Sequence, residues 1–383
     1  MITSRSTPRF RPFIITIDTT KLGSSASNQF TLPLYPFSPK YRFRVEWGDG
    51  SISKIQSYNS AALTHTYSSG GIYTIKIYGR FDSIFFNDVG DKLKLLEINQ
   101  WGSVIWKNFI SSFNGCSNMS GNTITDNPIL LKTSNLESMF SKTKFNGGVN
   151  NWDVSKITNM RFLFYQTPFN QPLSGWNVGN VTNMGEMFFN TTNFNQNINN
   201  WDVSKVTNMY YMFQNTSNFN QPLSGWNVGN VTDMTAMFLG ATNFNQPLNN
   251  WNVSKVQSMY GMFRNATSFN QPLNDWNVGK VYDMNLMFWN ASSFNQNLGN
   301  WNVSGVTQMT TMLTNTSLST TNYDSILTGW TGWIGGVPTK SVQSYVNLGV
   351  GNKKYSSSKP DVVNARTYLA TTKSWSITDG GPI

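Results

Sequence analysis

The chain has 383 residues, a formal net charge of +10 and only 12% charged residues, so Asn, Ser and Thr supply most of its polarity. Its single cysteine, Cys116, excludes an internal disulfide, a thiolate metal cluster and a paired redox motif. No segment reaches the roughly 20 apolar residues that cross a bilayer, so membrane insertion is not expected, and the scattered Lys and Arg residues form no basic stripe of the kind that binds nucleic acid.

Residues 1–12 form a basic arm, whose Arg5, Arg9 and Arg11 are the candidate contacts for docking on a large acidic assembly. Met1 to Leu34 contain no apolar core of signal-peptide length, so no Sec-type export signal is expected. Residues 13–85 alternate apolar and polar positions, as in Phe13-Ile14-Ile15-Thr16-Ile17 and Ile72-Tyr73-Thr74-Ile75-Lys76-Ile77. Short strands at this spacing predict a small β-sandwich. Trp47-Gly48-Asp49-Gly50 marks a tight turn within it, and His65-Thr66-Tyr67 a later strand. Asp49 reads as the cap of its own turn, because one carboxylate is a poor site for a calcium ion wanting six to eight oxygens.

Residues 86–317 read as a repeat solenoid, irregular to about residue 150 and regular after it. Leu93-x-x-Leu96-x-Ile98-x-x-Trp101 fits a leucine-rich-repeat strand frame and opens the irregular part. Trp176, Trp201, Trp226, Trp251, Trp276 and Trp301 then recur every 25 residues in the frame Leu/Ile-x-x-Trp-Asn/Asp-Val-x-x-Val-x-x-Met-x-x-Met-Phe/Leu. Trp176 and Val178, two apart, predict a short strand that pairs with the next coil in a parallel sheet. Met184, Met187 and Phe188 have the i, i+3, i+4 spacing of a helical turn, started by Thr182 or Asn183. Phe169, Phe194, Phe219, Phe244, Phe269 and Phe294 should form a buried spine, and the Asn after each should satisfy loop backbone groups. After Leu318 the period stops. Residues 318–383 predict a C-terminal cap with short helices at Tyr323–Leu327 and Asp361–Leu369. The expected fold is therefore mainly β with short helices: an N-terminal β-sandwich, a leucine-rich-repeat-like solenoid with a parallel sheet, and a small cap.

The unit Phe-Asn-Gln-Pro-Leu-x-x-Trp-Asn-Val-x-x-Val-x-x-Met-x-x-Met-Phe resembles the BspA-type leucine-rich-repeat surface proteins of bacteria, protists and viruses. The closing segment from Leu318 to Asp324, followed by Trp375-Ser376-Ile377-Thr378-Asp379-Gly380, is similar to theirs as well. The Trp47-Gly48-Asp49-Gly50 turn with His65-Thr66-Tyr67 resembles the polycystic-kidney-disease-like (PKD) sandwich. These resemblances imply a displayed adhesion or recognition surface with no enzymatic activity and no cofactor. Leaderless chains with this arrangement resemble structural proteins of bacteriophages, which assemble in the host cytoplasm. The function expected is a virion fibre, decoration or adhesin at the virion surface, with capsid or tail proteins and a host surface glycan or protein as partners, and possible homo-oligomers. The alternatives are a bacterial-type cell-surface adhesin or interaction module, and a polysaccharide-degrading spike.

The candidate ligand-binding residues are the outward positions beside each tryptophan: Asp153, Asn177, Asp202, Asn227, Asn252, Asn277 and Asn302, expected about 4.8 Å apart from coil to coil. They either bond one another as a ladder or meet glycan hydroxyls, with Tyr210, Tyr211, Tyr260, Tyr282 and Trp289 as stacking faces. Asp153 and Asp202, two coils and roughly 10 Å apart, are the one carboxylate pair suited to a glycosidase. Lys205, Lys255 and Lys280 form a row at one repeat position.

Overall fold

The computed structural model describes residues 10–36 and 41–383. The chain divides into two compact units, Met1–Asn180 and Val181–Ile383. The fold is mainly β with a few short helices and several sheets, none closed.

The first unit begins with strands β1 (Phe13–Asp18), β2 (Gln29–Thr31), β3 (Arg42–Glu46), β4 (Ile52–Ile55), β5 (Thr64–Thr66), β6 (Ile72–Arg80) and β7 (Leu95–Gln100). Five of them make one sheet in the order β4-β3-β6-β1-β7, and β2 and β5 pair separately. The alternation read from the sequence sends Phe13, Ile15, Ile17, Phe43, Val45, Ile75 and Ile77 to the buried face. Trp47 and His65 stack at 4.8 Å, and the Tyr67 hydroxyl donates to the Trp47 carbonyl at 3.0 Å, joining the Gly-Asp-Gly turn to β5. β7, expected as the first solenoid strand, lies antiparallel on β1 by one edge, and its Glu97 bridges to Ser120 in parallel. The sheet thus continues into the coils without a linker.

In the second unit the 25-residue period is a stack of coils. Leu223, Trp226, Val228, Val231, Met234, Met237, Phe238 and Phe244 are all buried in one coil, each contributing roughly 1.5–3 kcal/mol of burial. Their equivalents stack ring on ring: Phe188, Phe213, Phe238, Phe263 and Phe288 at 5.5–5.7 Å, and Phe194 on Phe219, Phe219 on Phe244, Phe244 on Phe269 and Phe269 on Phe294 at 5.8–6.2 Å.

Two expected elements are exchanged. The Met184–Phe188 segment is not a helical turn but the ladder of the stack. Backbone N–H groups of Met184, Glu186, Phe188 and Asn190 donate to the carbonyls of Asn208, Tyr210, Met212 and Gln214, while those of Met187, Phe189 and Thr191 close turns within the coil. A helix would keep every N–H inside itself. Here alternate ones reach the next coil, with left-handed residues Glu186 (φ 58°) and Asn190 (φ 54°) reversing the chain twice. Parallel bridges follow through Asn183, Asn208, Asp233, Ser258, Asp283 and Gln308.

Conversely, the Trp-x-Val segments alternate inward and outward as expected but form no strand. Stacked tryptophans there are 6.3–6.4 Å apart, against 5.5–5.7 Å for the phenylalanines of the ladder. Side chains bridge successive coils here. The indole N–H of Trp226, Trp251, Trp276 and Trp301 each donates to the carbonyl of Ile198, Leu223, Leu248 and Leu273 of the preceding coil at 2.8–3.0 Å.

The cap repeats these contacts with other elements. Helix α1 (Thr320–Thr331) starts on the Ser319 hydroxyl and ends at Gly332 (φ 60°), and its Trp330 donates to the Leu298 carbonyl at 2.8 Å, in the manner of a coil tryptophan. A two-residue hairpin, β8 (Trp333–Ile334) and β9 (Val337–Pro338), follows. β10 (Asn347–Gly349) takes up the ladder from Met309, and after helix α2 (Pro360–Thr367), which runs into one π turn at Tyr368–Thr372, β11 (Ser376–Thr378) pairs with β10 in parallel.

A repeated amide face as candidate binding site

All seven outward positions are exposed, and each is spent first on its own coil. The side-chain oxygen accepts the N–H two residues on: Asp153 from Ser155 at 3.1 Å, Asn177 from Gly179 at 3.1 Å and Asp202 from Ser204 at 3.0 Å. Asn227, Asn252, Asn277 and Asn302 do the same at 3.2 Å with Gly229, Ser254, Gly279 and Ser304. These are Asx turns. The expected bonding of this row to itself does not occur, because each side-chain oxygen is turned onto a backbone N–H of its own coil. The asparagine ladder lies on the opposite flank instead, where Asn215 donates to Asn190 at 2.8 Å, Asn290 to Asn265 at 3.1 Å and Asn315 to Asn290 at 2.8 Å. The asparagines after the spine phenylalanines accept backbone N–H groups as expected: Asn195 from Asn220, Asn220 from Asn245, Asn245 from Asn270 and Asn270 from Asn295, at 2.9–3.0 Å.

Hydrogen bonds from Ser155 and Ser204 hold the carboxyls of Asp153 and Asp202 below the usual carboxylate range. A glycosidase acid needs the opposite shift. The aromatic candidates are divided: Tyr282 is exposed, Tyr210 and Tyr211 lie edge to face at 5.5 Å, and Trp289 carries the Arg264 guanidinium at 4.5 Å. Lys205, Lys255 and Lys280 are all exposed, and Lys255 donates to Asn230 at 2.6 Å. Arg5 and Arg9 lie outside the described residues. Arg11 is paired with Asp126 at 2.8 Å, and Asp126 also accepts the N–H groups of Trp101 and Gly102, so this cation ties the arm to the first coils.

Two buried polar clusters escaped the sequence reading. The Lys94 ammonium, wholly buried, donates to the carbonyls of Ser25, Ala26 and Gln29 and faces Asp91 at 3.8 Å. Asp379 accepts from Arg366 at 2.8 and 3.0 Å and from the Tyr323 hydroxyl at 2.8 Å. Neither shows in the sequence, because Ser25 lies 69 residues from Lys94 and Tyr323 lies 56 from Asp379, with no periodic signal linking them. Among the described residues no three His, Cys, Asp or Glu side chains gather as a metal site, and no helix is long and apolar enough to cross a membrane.

The chain is thus a stacked-repeat protein with an exposed row of amide and carboxylate groups, one per coil. It belongs to the family described as Mycoplasma protein of unknown function, DUF285, whose model matches residues 134–239 and 219–326, together half of the chain. Membership supports the likeness to BspA-type repeat surface proteins. No curated protein and no solved structure matches the chain.

Proposed function

We propose that this chain is a non-enzymatic recognition protein displayed on a virion, as a fibre, decoration or adhesin. In this reading residues 13–85 are a PKD-like sandwich that attaches the chain to capsid or tail proteins. The coils are a leucine-rich-repeat-like solenoid that presents its outward row to a host surface glycan or protein. The observation that carries the recognition role is the row itself. The Nδ2 groups of Asn227, Asn252, Asn277 and Asn302 bond to no protein group among the described residues, leaving fixed donors that match hydroxyls and carbonyls. The Asx turns preorganise them, which lowers the entropic cost of binding.

The test is binding of the full-length protein to host cells, followed by flow cytometry, for wild type and an Asn227→Ala, Asn252→Ala, Asn277→Ala, Asn302→Ala variant. The expected result is a loss of about tenfold or more in affinity with an unchanged circular dichroism spectrum. Retained binding refutes the recognition face. A second reading, a cell-surface adhesin, has one observation in its favour: the family is described from a cellular organism. Immunogold labelling separates the two, by gold on particles or on the cell envelope.

A further inference from the structure

The exposed face of the five-stranded sheet is built against its own stability. Arg42 lies directly opposite Arg80 across β3 and β6, and Arg44 opposite Lys54 across β3 and β4. Like charges in directly opposed sheet positions repel. Lys76 shares this face through its pairing with Glu46. Five cations therefore share this face with Glu46, which accepts Arg44 at 3.0 Å and the Tyr78 hydroxyl at 3.2 Å, and with Glu97, placed there by its pairing with Thr16. At the margin Asp82 bonds Arg80 at 3.4 Å and Lys107 at 2.7 Å. Protection of a sheet edge by charge accounts for Lys54, since β4 is an edge strand. It does not account for Arg42 and Arg80, whose strands are interior.

We infer that this face, with Arg42, Arg44, Lys54, Lys76 and Arg80 around Tyr78, docks on an acidic protein surface. The inference rests on the reading that the N-terminal region attaches the chain to a larger assembly, and it moves the contact from the arm to the sheet. Two features favour a protein over a polyphosphate. Arg44 is stacked on the Tyr78 ring at 4.4 Å, presenting its guanidinium as a flat, fixed group suited to bidentate carboxylate pairing. Ile52, 59% exposed and opposite Glu46, adds an apolar contact to the charged field, and Arg, Tyr and apolar side chains together are the composition of a protein interface core.

The experiment measures fluorescence anisotropy of a labelled glutamate homopeptide with the full-length protein at low salt, in competition with an oligothymidylate of equal charge. An Arg42→Gln, Arg80→Gln variant is expected to weaken peptide binding about tenfold. A Lys205→Gln, Lys255→Gln variant, which loses the same charge from the repeats, should change it by less than about twofold. The thermal midpoint of the first variant should hold or rise by about 1–3 °C, because the repulsion is gone. Equal loss in both variants overturns the inference, as does a lowered midpoint. Preferential displacement by the oligothymidylate assigns the face to nucleic acid and also overturns it. All three outcomes leave particle labelling untouched, so failure here is distinguishable from failure of the display reading.

Discussion

At Asp49 one carboxylate does the work of a turn and of an inter-strand tie. One oxygen accepts the Ser51 N–H at 3.0 Å, and the other meets His65 Nε2 at 2.8 Å. Burial opposes ionisation, but the Ser51 and His65 hydrogen bonds outweigh it and hold the carboxyl at about 2. The folded value lies below the unfolded value of about 3.9, so the stabilisation is complete above roughly pH 5 and is lost as pH falls through about 2. After discounting for the partial exposure of the pair, about 1 kcal/mol is at stake. Hydrogen exchange of β5 in the full chain should quicken between pH 5 and pH 2 beyond the intrinsic rate change. Asp49→Asn should show the faster exchange already at pH 6 and little further dependence. An unchanged profile in the variant would remove the tie from the account. The turn cap was legible in the sequence, because Gly-Asp-Gly is a tight-turn signal; the second bond to His65, 16 residues on, was not.

Within a coil, the indole and the amide beside it are adjacent in sequence and opposite in consequence. Trp226→Phe keeps a buried ring but removes the inter-coil bond to the Ile198 carbonyl at 2.9 Å, leaving that carbonyl only the Trp201 N–H at 3.1 Å from its own coil. A buried hydrogen bond of this kind contributes about 1–1.5 kcal/mol net. Asn227→Ala removes one exposed turn bond at 3.2 Å and should cost about 0.5 kcal/mol. Urea unfolding of the two variants should separate them in this order, and equal losses would deny the indole its role as a staple between coils. The apolar frame, the spine and the start of the cap were all readable, because burial imposes a strict period. Ladder and strand were exchanged because Met184, Met187 and Phe188 suit a chain of tight turns as well as a helix. The discriminating signal was present at one position: Asn190, Asn215, Gly240, Asn265, Asn290 and Asn315 are all left-handed, and Asn or Gly at each repeat favours that conformation. Four residues earlier Glu186, Tyr211, Ala236, Leu286 and Thr311 are left-handed too, and nothing in their side chains announces it.

A stack of near-identical coils has an inherent weakness at its end, where the last layer has no successor, and in the second unit the cap supplies one. β10 takes the next rung after Met309, Trp330 takes the next place in the tryptophan series, and Asp379 joins α1, α2 and the segment after β11 through Tyr323 and Arg366. The sequence marked this segment by its likeness to the closing segments of BspA-type proteins, and the structure gives the reason: Tyr323 and Asp379, 56 residues apart, meet. Asp379 is almost wholly buried, so Asp379→Asn leaves the Arg366 charge uncompensated and should cost about 3–5 kcal/mol. Because coils contact mainly their nearest neighbours, that loss should be local. Hydrogen exchange of the full-length variant should accelerate in β10, β11 and the coil from Met309 to Thr316. The effect should decay through the coils of Met284 and Met259 and fade near Met209. Uniform acceleration from Val181 to Ile383 would mean instead that the unit opens as a single cooperative body and that the cap governs all of its coils at once.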